Sequence, residues 1–568
     1  MPPSTPPGRS AALLRAAAGA FVATWRNPQL RRAQLAFFGA WTAEWAVTVV
    51  LGIYAYQRGG ATEVGVVALV RVLPAAVVAP LATQYADRWP REKVLVAVSV
   101  VRAVSVAAAA WAVLADGPAL AVYGLITLSS AAAVLFRPVH SALLPSLSST
   151  ARELAGANVV RGALDSAATL AGPLITAVLL ASGGLGRVLV VAAVASGWSA
   201  ALMARVHPDA ITVEDVGDAE GAVARTLGGL RAVRAQPGLR LLFGLIAAQT
   251  FMRGAVTVFI VVVALELVDL GDAGVGALNA YLGAGALLAS FAASLLVGTS
   301  RLARWFGVGA ALWGAPLVVI GLFPSPATAA VMLAAVGAGN ALIDVGGFTL
   351  IARISPTRAM ARVFGLVESV VALSVGLGAV VTPLVMEAVG LRTALVVLGL
   401  LSPVAVALSW LRLRALDDVM VRRDGELRIL RGVPLFDVLP LPALEDIARQ
   451  LDHAVVPAGQ PVFSQGDAGD RFYVVVSGTA EVVGDGVPIT TLGPGESFGE
   501  IALLRSVPRT ATVRAVTDLR LESLRCEPFL AVFTRSRRGE GAAEARVDEL
   551  LDRFAPRPGP GSTSASQE

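Results

Sequence analysis

Long apolar stretches separated by short polar connections fill the chain as far as Arg414. Each has about 20 residues or more, the length that an α-helix needs to cross about 30 Å of hydrocarbon. A membrane β-barrel would instead alternate polar and apolar positions over segments of about ten residues. The pattern predicts two sets of six membrane helices, over residues 31–206 and 237–414, with a polar linker over 207–236. The predicted spans are 33–56, 64–86, 94–115, 119–144, 155–181, 188–206, 239–265, 275–297, 303–322, 327–354, 359–388 and 391–413.

The pattern changes sharply behind the last span. A charged connector over residues 415–429 leads to a short helix predicted at Pro442–Leu451. Short segments of β-branched and aromatic residues then alternate with Gly, Asp and Pro, which predicts a small antiparallel barrel or jelly roll within residues 430–555. These segments are 460–463, 472–477, 480–483 and 489–492, and the G-D-G at 484–486 suits a tight hairpin.

The two ends of the chain carry weaker patterns. Residues 1–30 are interpreted as a cytosolic tail with an amphipathic helix at Ala11–Trp25 on the membrane surface. Apolar residues at helical spacing over Ala542–Phe554 predict a terminal helix. The Pro-, Gly- and Ser-rich residues 556–568 predict a disordered tail.

Composition and charge support this organisation. With 55% hydrophobic residues, 15% charged residues and a mean hydropathy of +0.70, the chain is too apolar for a soluble globular protein of 568 residues. Arginines crowd the connections on one side of the spans, so we expect both termini in the cytoplasm and the protein in the inner (plasma) membrane. Because no continuous basic face forms, nucleic-acid binding is not expected. The expected fold class is a mainly α membrane protein, a twelve-helix (6+6) bundle, with a small cytosolic β jelly-roll domain and flanking helices.

The six-linker-six plan resembles the major facilitator superfamily, and the turn after the second span strengthens the resemblance. That turn, Thr83–Lys93, reads T-Q-Y-A-D-R-W-P-R-E-K and carries the charges of the superfamily's cytoplasmic signature, although Thr83 and Pro90 stand where glycine is usual. The resemblance implies a gating motif that latches neighbouring helices in one transport state. Ordinary positive-inside charge is the alternative. The matching residues are Asp87, Arg88, Arg91 and Lys93.

Charged residues also fall inside the predicted spans, where an ionised side chain near the bilayer centre costs at least about 2.5 kcal/mol unless a partner, water or function offsets it. If the helices converge as in the superfamily, those of the first half share one cavity. We expect Glu44 or Asp165 to exchange a proton, and Asp344 or Glu368 to meet a cationic or polar substrate. The alternative is static ion pairs that lock helix packing. The residues are Glu44, Arg71, Arg102 and Asp165 in the first half and Arg253, Asp344 and Glu368 in the second.

The stretch Gly499–Val513, G-E-I-A-L-L-R-S-V-P-R-T-A-T-V, carries a second resemblance. Together with Phe498 it is similar to the signature of cyclic-nucleotide-binding domains, in which F-G-E leads into a short helix and an arginine follows about nine residues after the glutamate. The resemblance covers residues 430–554 and implies cAMP or cGMP as a regulatory ligand. The matching site residues are Gly499, Glu500, Ile501, Ala502, Arg509, Thr510 and Ala511.

Chemistry accounts for this spacing. Gly499 permits a tight turn, and the first amides of the helix, around Ile501 and Ala502, can face an anion. Arg509 is expected to pair with the exocyclic oxygens of the cyclic phosphate. By the resemblance, Glu500 accepts a hydrogen bond from the ribose 2′-hydroxyl, and the helix at 542–554 is a lid over the base. A hydroxyl at Thr510 can contact guanine, but threonine also occurs there in domains that resemble cAMP receptors, so the base stays open.

No Ser-His-Asp arrangement, Walker loop or metal cluster is found, and the single Cys526 cannot form an intramolecular disulfide. We therefore expect neither an enzyme nor a metal site. Two functions remain. The first is a secondary active transporter, a proton-coupled small-molecule exporter regulated by cytosolic cAMP or cGMP. The second is a membrane-anchored cyclic-nucleotide receptor without transport. The expected partners are the lipid bilayer, a small-molecule substrate and the nucleotide; the substrate and the oligomeric state stay open.

Overall fold

The computed structural model describes residues 24–86, 89–208, 222–296, 301–355, 360–436, 439 and 441–533. The chain divides into two compact units, with the boundary between Asp417 and Asp418. Four predicted features lie outside the described residues. They are most of the amphipathic tail, residues 209–221 of the linker, the helix at 542–554 and the tail at 556–568.

The first half of the membrane unit consists of long helices joined by short connections. They are α1 (Pro28–Ala86), α2 (Arg91–Leu114), α3 (Ala119–Leu147), α4 (Ala151–Ser182) and α5 (Leu185–Met203). Helix α1 breaks at Gly59 and Gly60. Gly60 has a φ of +61°, in the left-handed region that favours glycine. This one element therefore holds the first two predicted spans.

The second half follows a linker helix, α6 (Ala222–Ala235). It contains α7 (Pro237–Val262) with a π-helical extension to Leu267, α8 (Gly271–Leu296), α9 (Leu302–Ala311), α10 (Ala315–Leu322), α11 (Pro326–Ile354), α12 (Met360–Val389) and α13 (Leu391–Arg431). Because α13 continues to Arg431, the connector at 415–429 is helical. Within the described ranges, eleven stretches are long and apolar enough to cross a membrane, and the first, Pro28–Val72, runs through the break in α1.

Three hydrophobic clusters show how the two halves pack. The shared core combines both halves, with Ile53 of the first packed in the same cluster as Phe259 of the second. It lies at the end of the helices where α1 breaks. At the opposite end, where arginines crowd the connections, each half has its own core, around Phe136 in the first and Phe306 in the second. The halves therefore pack together at one end and have separate cores at the other.

Hydrogen bonds between the halves reinforce the shared end. Among the described residues, three uncharged donors flank the break in α1, and their acceptors are three carboxylates of the second half. The Tyr56 hydroxyl donates to Glu266, Gln57 Nε2 donates to Asp272 Oδ2 at 2.8 Å, and Thr62 Oγ1 donates to Glu387 Oε1 at 2.8 Å. These contacts close this end of the bundle.

The second unit is a small antiparallel β domain with helices before and after it. A 3₁₀ turn (Pro434–Phe436) and α14 (Leu441–Ala448) precede the strands. These are β1 (Asp452–Val456), β2 (Pro461–Phe463), β3 (Arg471–Ser477), β4 (Ala480–Gly484), β5 (Val487–Leu492), β6 (Ser497–Phe498), β7 (Thr512–Ala515) and β8 (Leu519–Arg525). Helix α15 (Glu500–Arg505) lies between β6 and β7, and α16 (Cys526–Phe533) follows β8.

Two four-stranded sheets, ordered β1-β8-β3-β6 and β2-β7-β4-β5, form the domain. The β4–β5 hairpin turns through Asp485 and Gly486, whose φ values of +50° and +80° fit a tight two-residue turn. The predicted β segments correspond to β2, β3, β4 and β5, while β1, β6, β7 and β8 are not among them. The helix predicted at Pro442–Leu451 is α14, which begins one residue earlier, at Leu441, and ends three residues earlier, at Ala448.

One core of the β domain reaches from the end of α13 to the predicted nucleotide site. Leu430 and Phe436 pack in the same buried cluster as Phe472 of β3, Leu503 of α15 and Phe529 of α16. The rings of Phe472 and Phe529 have centroids 4.9 Å apart. The helix that carries the Gly499–Arg509 signature is thus packed against the segment that enters the domain.

Candidate functional sites

The loop between β6 and α15 carries the nucleotide-site signature. Gly499 has a φ of +91°, which favours glycine. A Cβ atom at this position would lie 2.7 Å from Nη1 of Arg509 and 3.1 Å from the carbonyl oxygen of Arg471. Backbone conformation and space both require glycine here, because any side chain would push against Arg509.

Arg509 is 3% exposed and lies against this turn. Its Nη1 donates to the Gly499 carbonyl at 3.0 Å, and its Nη2 donates to the Arg471 carbonyl at 2.8 Å and to Asp470 Oδ1 at 3.3 Å. The guanidinium carbon lies 4.1 Å from the ring centroid of Phe463, a cation–π geometry. In the described part of the chain, Nε has no hydrogen-bond partner. Carbonyls and an aromatic face thus preorganise a buried guanidinium, the group best suited to pair with a phosphate.

The other signature residues surround this contact. Glu500 begins α15 and is buried, as is Ala502, which packs against Gly469. Ile501 and Ala511 are half-buried, and Thr510 is exposed. The structure brings Gly499 and Arg509, ten residues apart, into direct contact, with Glu500 next to them along the chain.

Two neighbours of Arg509 were missed from the sequence. Asp470, the residue before β3, lies outside the predicted signature, although a carboxylate beside a buried arginine is a natural partner. Tyr473 of β3 stacks on Phe498, with ring centroids 5.2 Å apart. Burial, and then the charge of Asp470, raise the pKa of the Tyr473 hydroxyl, so it stays neutral at physiological pH.

In the membrane unit, Glu44 pairs with two arginines. Its Oε1 contacts Arg71, and its Oε2 accepts from Arg102 Nη2 at 2.7 Å. Arg71 also donates to Ser130 Oγ at 2.8 Å. Arg102 is 2% exposed, and its Nε and Nη1 lack hydrogen-bond partners among the described residues. This Glu44 cluster (Glu44, Arg71 and Arg102) sets two guanidiniums against one carboxylate and carries an excess positive charge.

Asp165 has a different partner. It pairs with Arg137, whose guanidinium carbon lies 4.5 Å from the ring centroid of Trp41. Arg161, one turn earlier on α4, interacts electrostatically with both residues of this pair. The sequence placed Asp165 in one group with Glu44, Arg71 and Arg102. The structure brings only those three together and gives Asp165 a separate pair that the sequence did not predict.

The charged residues of the second half are exposed although they lie within candidate spans. They are Arg253 on α7, Asp344 on α11 and Glu368 on α12. None makes a direct ion pair with another described residue, but Arg253 interacts electrostatically with both carboxylates. Asp344 Oδ2 also accepts a hydrogen bond from Asn340 Nδ2 at 2.8 Å.

These interactions cross from one half to the other. Arg253 and Asp344 both interact electrostatically with Arg137 and Asp165 of the first half. Arg253 and Asp344 therefore lie within electrostatic range of charged residues of the opposite half. We call the space between Arg137, Asp165, Arg253, Asp344 and Glu368 the central cavity.

The predicted gating motif is described only in part. Arg91 Nη1 donates to the carbonyl of Ala142 on α3 at 2.8 Å, which ties the start of α2 to its neighbour. Lys93 is exposed. Asp87 and Arg88 lie outside the side chains that the structure describes.

Comparisons with known proteins agree with this architecture. Residues 34–305 match the Major Facilitator Superfamily, and residues 454–536 match the cyclic nucleotide-binding domain. A solved structure of a POT family transporter in complex with a thioalcohol-conjugated peptide is similar over 68% of this chain and 96% of its own, with a TM-score of 0.55 and 13% identity. At that identity the likeness concerns the fold.

Similar curated proteins match the β domain. A cAMP-dependent protein kinase regulatory subunit of Yarrowia lipolytica is 42% identical over 90 residues, which cover 16% of this chain and 24% of that protein. A cyclic nucleotide-gated potassium channel of Rhizobium etli is 38% identical over 119 residues, 20% of this chain and 33% of that protein. The chain thus spans a quarter to a third of the length of these relatives.

The membrane bundle and the β domain therefore define the class: a region of the major facilitator type followed by a cyclic nucleotide-binding domain. The expected fold class, a mainly helical membrane bundle with a small antiparallel β domain, is confirmed. Both expected resemblances are confirmed as well. The domain boundaries and the roles of the individual site residues remain predictions.

Proposed function

We propose that this protein is a secondary active transporter whose activity is regulated by a cyclic nucleotide. The observation that carries the proposal is the central cavity, where charged residues of both halves interact electrostatically between a shared core at one end and separate cores at the other. A bundle closed at one end and divided at the other suits alternating access by rocking of two halves. With the arginine-rich connections in the cytoplasm, the cavity opens inward.

The cavity charges support proton-coupled export of a small molecule. Asp344 and Glu368 are exposed in the cavity and make no direct ion pair among the described residues, so they are available to a cationic or polar substrate. Glu44 and Asp165 each lie in ion pairs that a proton can break. Protonation of either carboxylate would release an arginine and change the balance between cavity states.

The β domain supports regulation by cAMP or cGMP. Arg509 is preorganised beside the Gly499 turn, and the similar regulatory subunits and channels named above are, by their names, controlled by cAMP or gated by cyclic nucleotides. Leu503 of α15 packs in one cluster with Leu430 at the end of α13. A shift of α15 on phosphate binding would therefore displace the segment that leads back to the membrane unit. Coupling of about 1–3 kcal/mol changes an equilibrium severalfold or more.

The positive-inside pattern supports an inner-membrane location with both termini and the nucleotide domain in the cytoplasm. In this arrangement cytosolic nucleotide reaches its pocket without crossing the bilayer.

We propose no catalytic role, because every candidate group is assigned to transport or to nucleotide contact.

Calorimetric titration of the full-length chain with cAMP and cGMP tests the nucleotide site. Arg509→Ala removes at least two charge-assisted hydrogen bonds to the phosphate, so we expect a loss of about 3 kcal/mol, or roughly 100-fold in Kd. Arg514→Ala, at an exposed arginine of β7, is the matched control and should bind like the wild type. Equal affinities for all three proteins would refute the pocket.

Proteoliposomes loaded with a pH-sensitive dye test transport. A panel of small organic cations is added with and without the nucleotide that binds in the calorimeter. Substrate-dependent proton movement that responds to nucleotide supports the proposal. Arg509-dependent binding without proton movement for any member of the panel would favour the alternative, a membrane-anchored receptor without transport.

A further inference from the structure

The first turn of α9 is capped from a distant part of the chain. Arg301, which precedes the helix, provides no side-chain cap. Instead Asp417, on α13, accepts from the Ala303 amide through Oδ1 at 2.7 Å. Its Oδ2 accepts from the Arg304 amide at 3.2 Å and from Arg304 Nε at 2.7 Å. One carboxylate thus satisfies two backbone amides at the start of the helix and pairs with a guanidinium.

The chemistry makes this contact selective for an ionised aspartate. Asp417 is 1% exposed, so its charge must be compensated by protein groups. The helix start supplies free amides and the positive end of the helix dipole, and Arg304 supplies a full positive charge. A shorter, longer or neutral side chain would lose part of this compensation.

Asp417 also holds a special position along the chain. It is the last residue of the membrane unit, and the next residue, Asp418, begins the unit that contains the nucleotide domain. Asp418 is exposed and lies on the same helix. A displacement carried along this helix from residue 418 would reach Asp417, and with it the α9 cap, first.

Close packing joins α13 to α9 at two places. A Cβ atom on Gly307 would lie 2.7 Å from Cδ1 of Leu413. The Ser402 hydroxyl donates to the carbonyl of Ala310 at 2.5 Å. The Asp417 cap lies at one end of this packed pair, so α9 is held tightly against α13.

Helix α9 packs in turn on the helix that carries a cavity carboxylate. A Cβ atom on Gly309 would lie 2.8 Å from the carbonyl oxygen of Gly339 on α11, so the two backbones touch. Asn340, the next residue of α11, donates the hydrogen bond that orients Asp344 in the central cavity. A continuous series of contacts thus runs from Asp417 to Asp344.

We propose that Asp417 is the positioning residue through which nucleotide occupancy reaches the central cavity. The proposal rests on the proposed function and adds the route of regulation. Nucleotide binding displaces the chain beyond Asp417, the carboxylate carries that displacement to the first turn of α9, and α9 moves α11 with its Asn340–Asp344 pair. A two-state helix pair biased by both ligands is the physical basis of such coupling.

Hydrogen–deuterium exchange on the full-length chain in lipid nanodiscs tests the proposal. Peptides over residues 301–311 and 336–346 are followed with and without saturating cAMP or cGMP. Wild-type protein should change its exchange in both peptides. Asp417→Asn, which keeps the shape and removes the charge, should lose most of that response, about threefold or more in amplitude, while Asp417→Glu should retain part of it. Asp418→Asn is the matched control and should respond like the wild type.

Measurement of nucleotide affinity distinguishes a failure of the Asp417 route from a failure of the proposed nucleotide site. All variants should bind nucleotide within about threefold of the wild type by calorimetry, because Asp417 lies outside the Arg509 pocket. If Asp417→Asn unfolds, Arg304→Met removes one donor, leaves both amide contacts and should weaken the response. A full wild-type response in Asp417→Asn, or no response of α9 in wild-type protein with bound nucleotide, overturns the proposal. Absence of Arg509-dependent binding would instead overturn the nucleotide site itself, and the proposed route with it.

Discussion

The Glu44 cluster predicts that removing its acid is far worse than removing one of its bases. Glu44→Gln leaves Arg71 and Arg102 with no carboxylate between them, so two uncompensated charges remain within the membrane helices. Arg102→Met leaves one arginine paired with one glutamate, a neutral pair. Chemically similar changes to one cluster therefore move its net charge in opposite directions.

The contacts set the magnitudes. Breaking a buried ion pair by removing one partner costs about 3–5 kcal/mol, and Glu44→Gln breaks two pairs at once. Arg102→Met loses the bonds to Glu44 and to the Ala40 carbonyl, at about 1.5–3 kcal/mol each. It also removes a buried charge, two of whose nitrogens have no hydrogen-bond partner among the described residues. Removal of that charge stabilises the variant by at least about 2.5 kcal/mol. We expect the two variants to differ by about 3 kcal/mol, with Glu44→Gln the less stable.

Denaturant titration of the purified chain in lipid–detergent micelles, followed by tryptophan fluorescence, measures the difference. The double variant Glu44→Gln/Arg102→Met should recover part of the loss, because it leaves a single arginine hydrogen-bonded to Ser130. Equal destabilisation by the two single variants, or a more stable Glu44→Gln, would refute the charge argument and imply a further carboxylate near Arg102.

Three further predictions follow from single contacts. Gly499→Ala forces a Cβ atom to within 2.7 Å of Arg509, so nucleotide affinity should fall at least about tenfold by calorimetry while the exchange of peptides from β8 stays normal. Thr62→Val removes one solvent-exposed hydrogen bond to the Glu387 carboxylate. The loss of about 0.5–1.5 kcal/mol should raise maleimide labelling of a cysteine placed at Ala61, in a Cys526→Ser background, about two- to tenfold. The pKa of Glu522 is raised, chiefly by burial, and the neighbouring His453 offsets part of this increase. The folded domain thus disfavours the ionised form, so Glu522→Gln should resist pulse proteolysis better than wild type at pH 8, and this advantage should vanish below the ordinary carboxyl pKa of 4.5.

Hydropathy predicted the membrane helices because the bilayer imposes one length on each of them. For the same reason it predicts the end of the last span but not the end of the last helix. Apolar character stops near Leu413, where the hydrocarbon would end, but the residues that follow contain no proline before Pro434, and α13 continues to Arg431. The strand β8 was missed because its sequence, L-R-L-E-S-L-R, is rich in strong helix formers, and only its pairing with β1 and β3 makes it a strand.

Site residues were predictable where a motif fixes them locally. Gly499 and Arg509 are only ten residues apart, and a left-handed turn at Gly499 lets the chain bring Arg509 back to it. The two residues are in contact in the structure. Partners on different helices were not predictable. One residue turns a helix by about 100°, so the facing side chain depends on helix rotation that hydropathy leaves undetermined. That is why Arg137 was not recognised as the partner of Asp165, nor Asp417 as the cap of α9.

The pairing of charges separates the two halves of the membrane unit in a way that bears on mechanism. In the first half, Glu44 and Asp165 both lie in ion pairs, so their charges are used to hold helices together in this state. In the second half, Asp344 and Glu368 face the cavity without a direct ion pair among the described residues. Since an unpaired charge at this depth is costly, a positively charged group of a substrate would gain more there than in the first half. A substrate would therefore gain most of its binding free energy from the carboxylates of the second half. Protonation in the first half would instead break an ion pair that holds helices together.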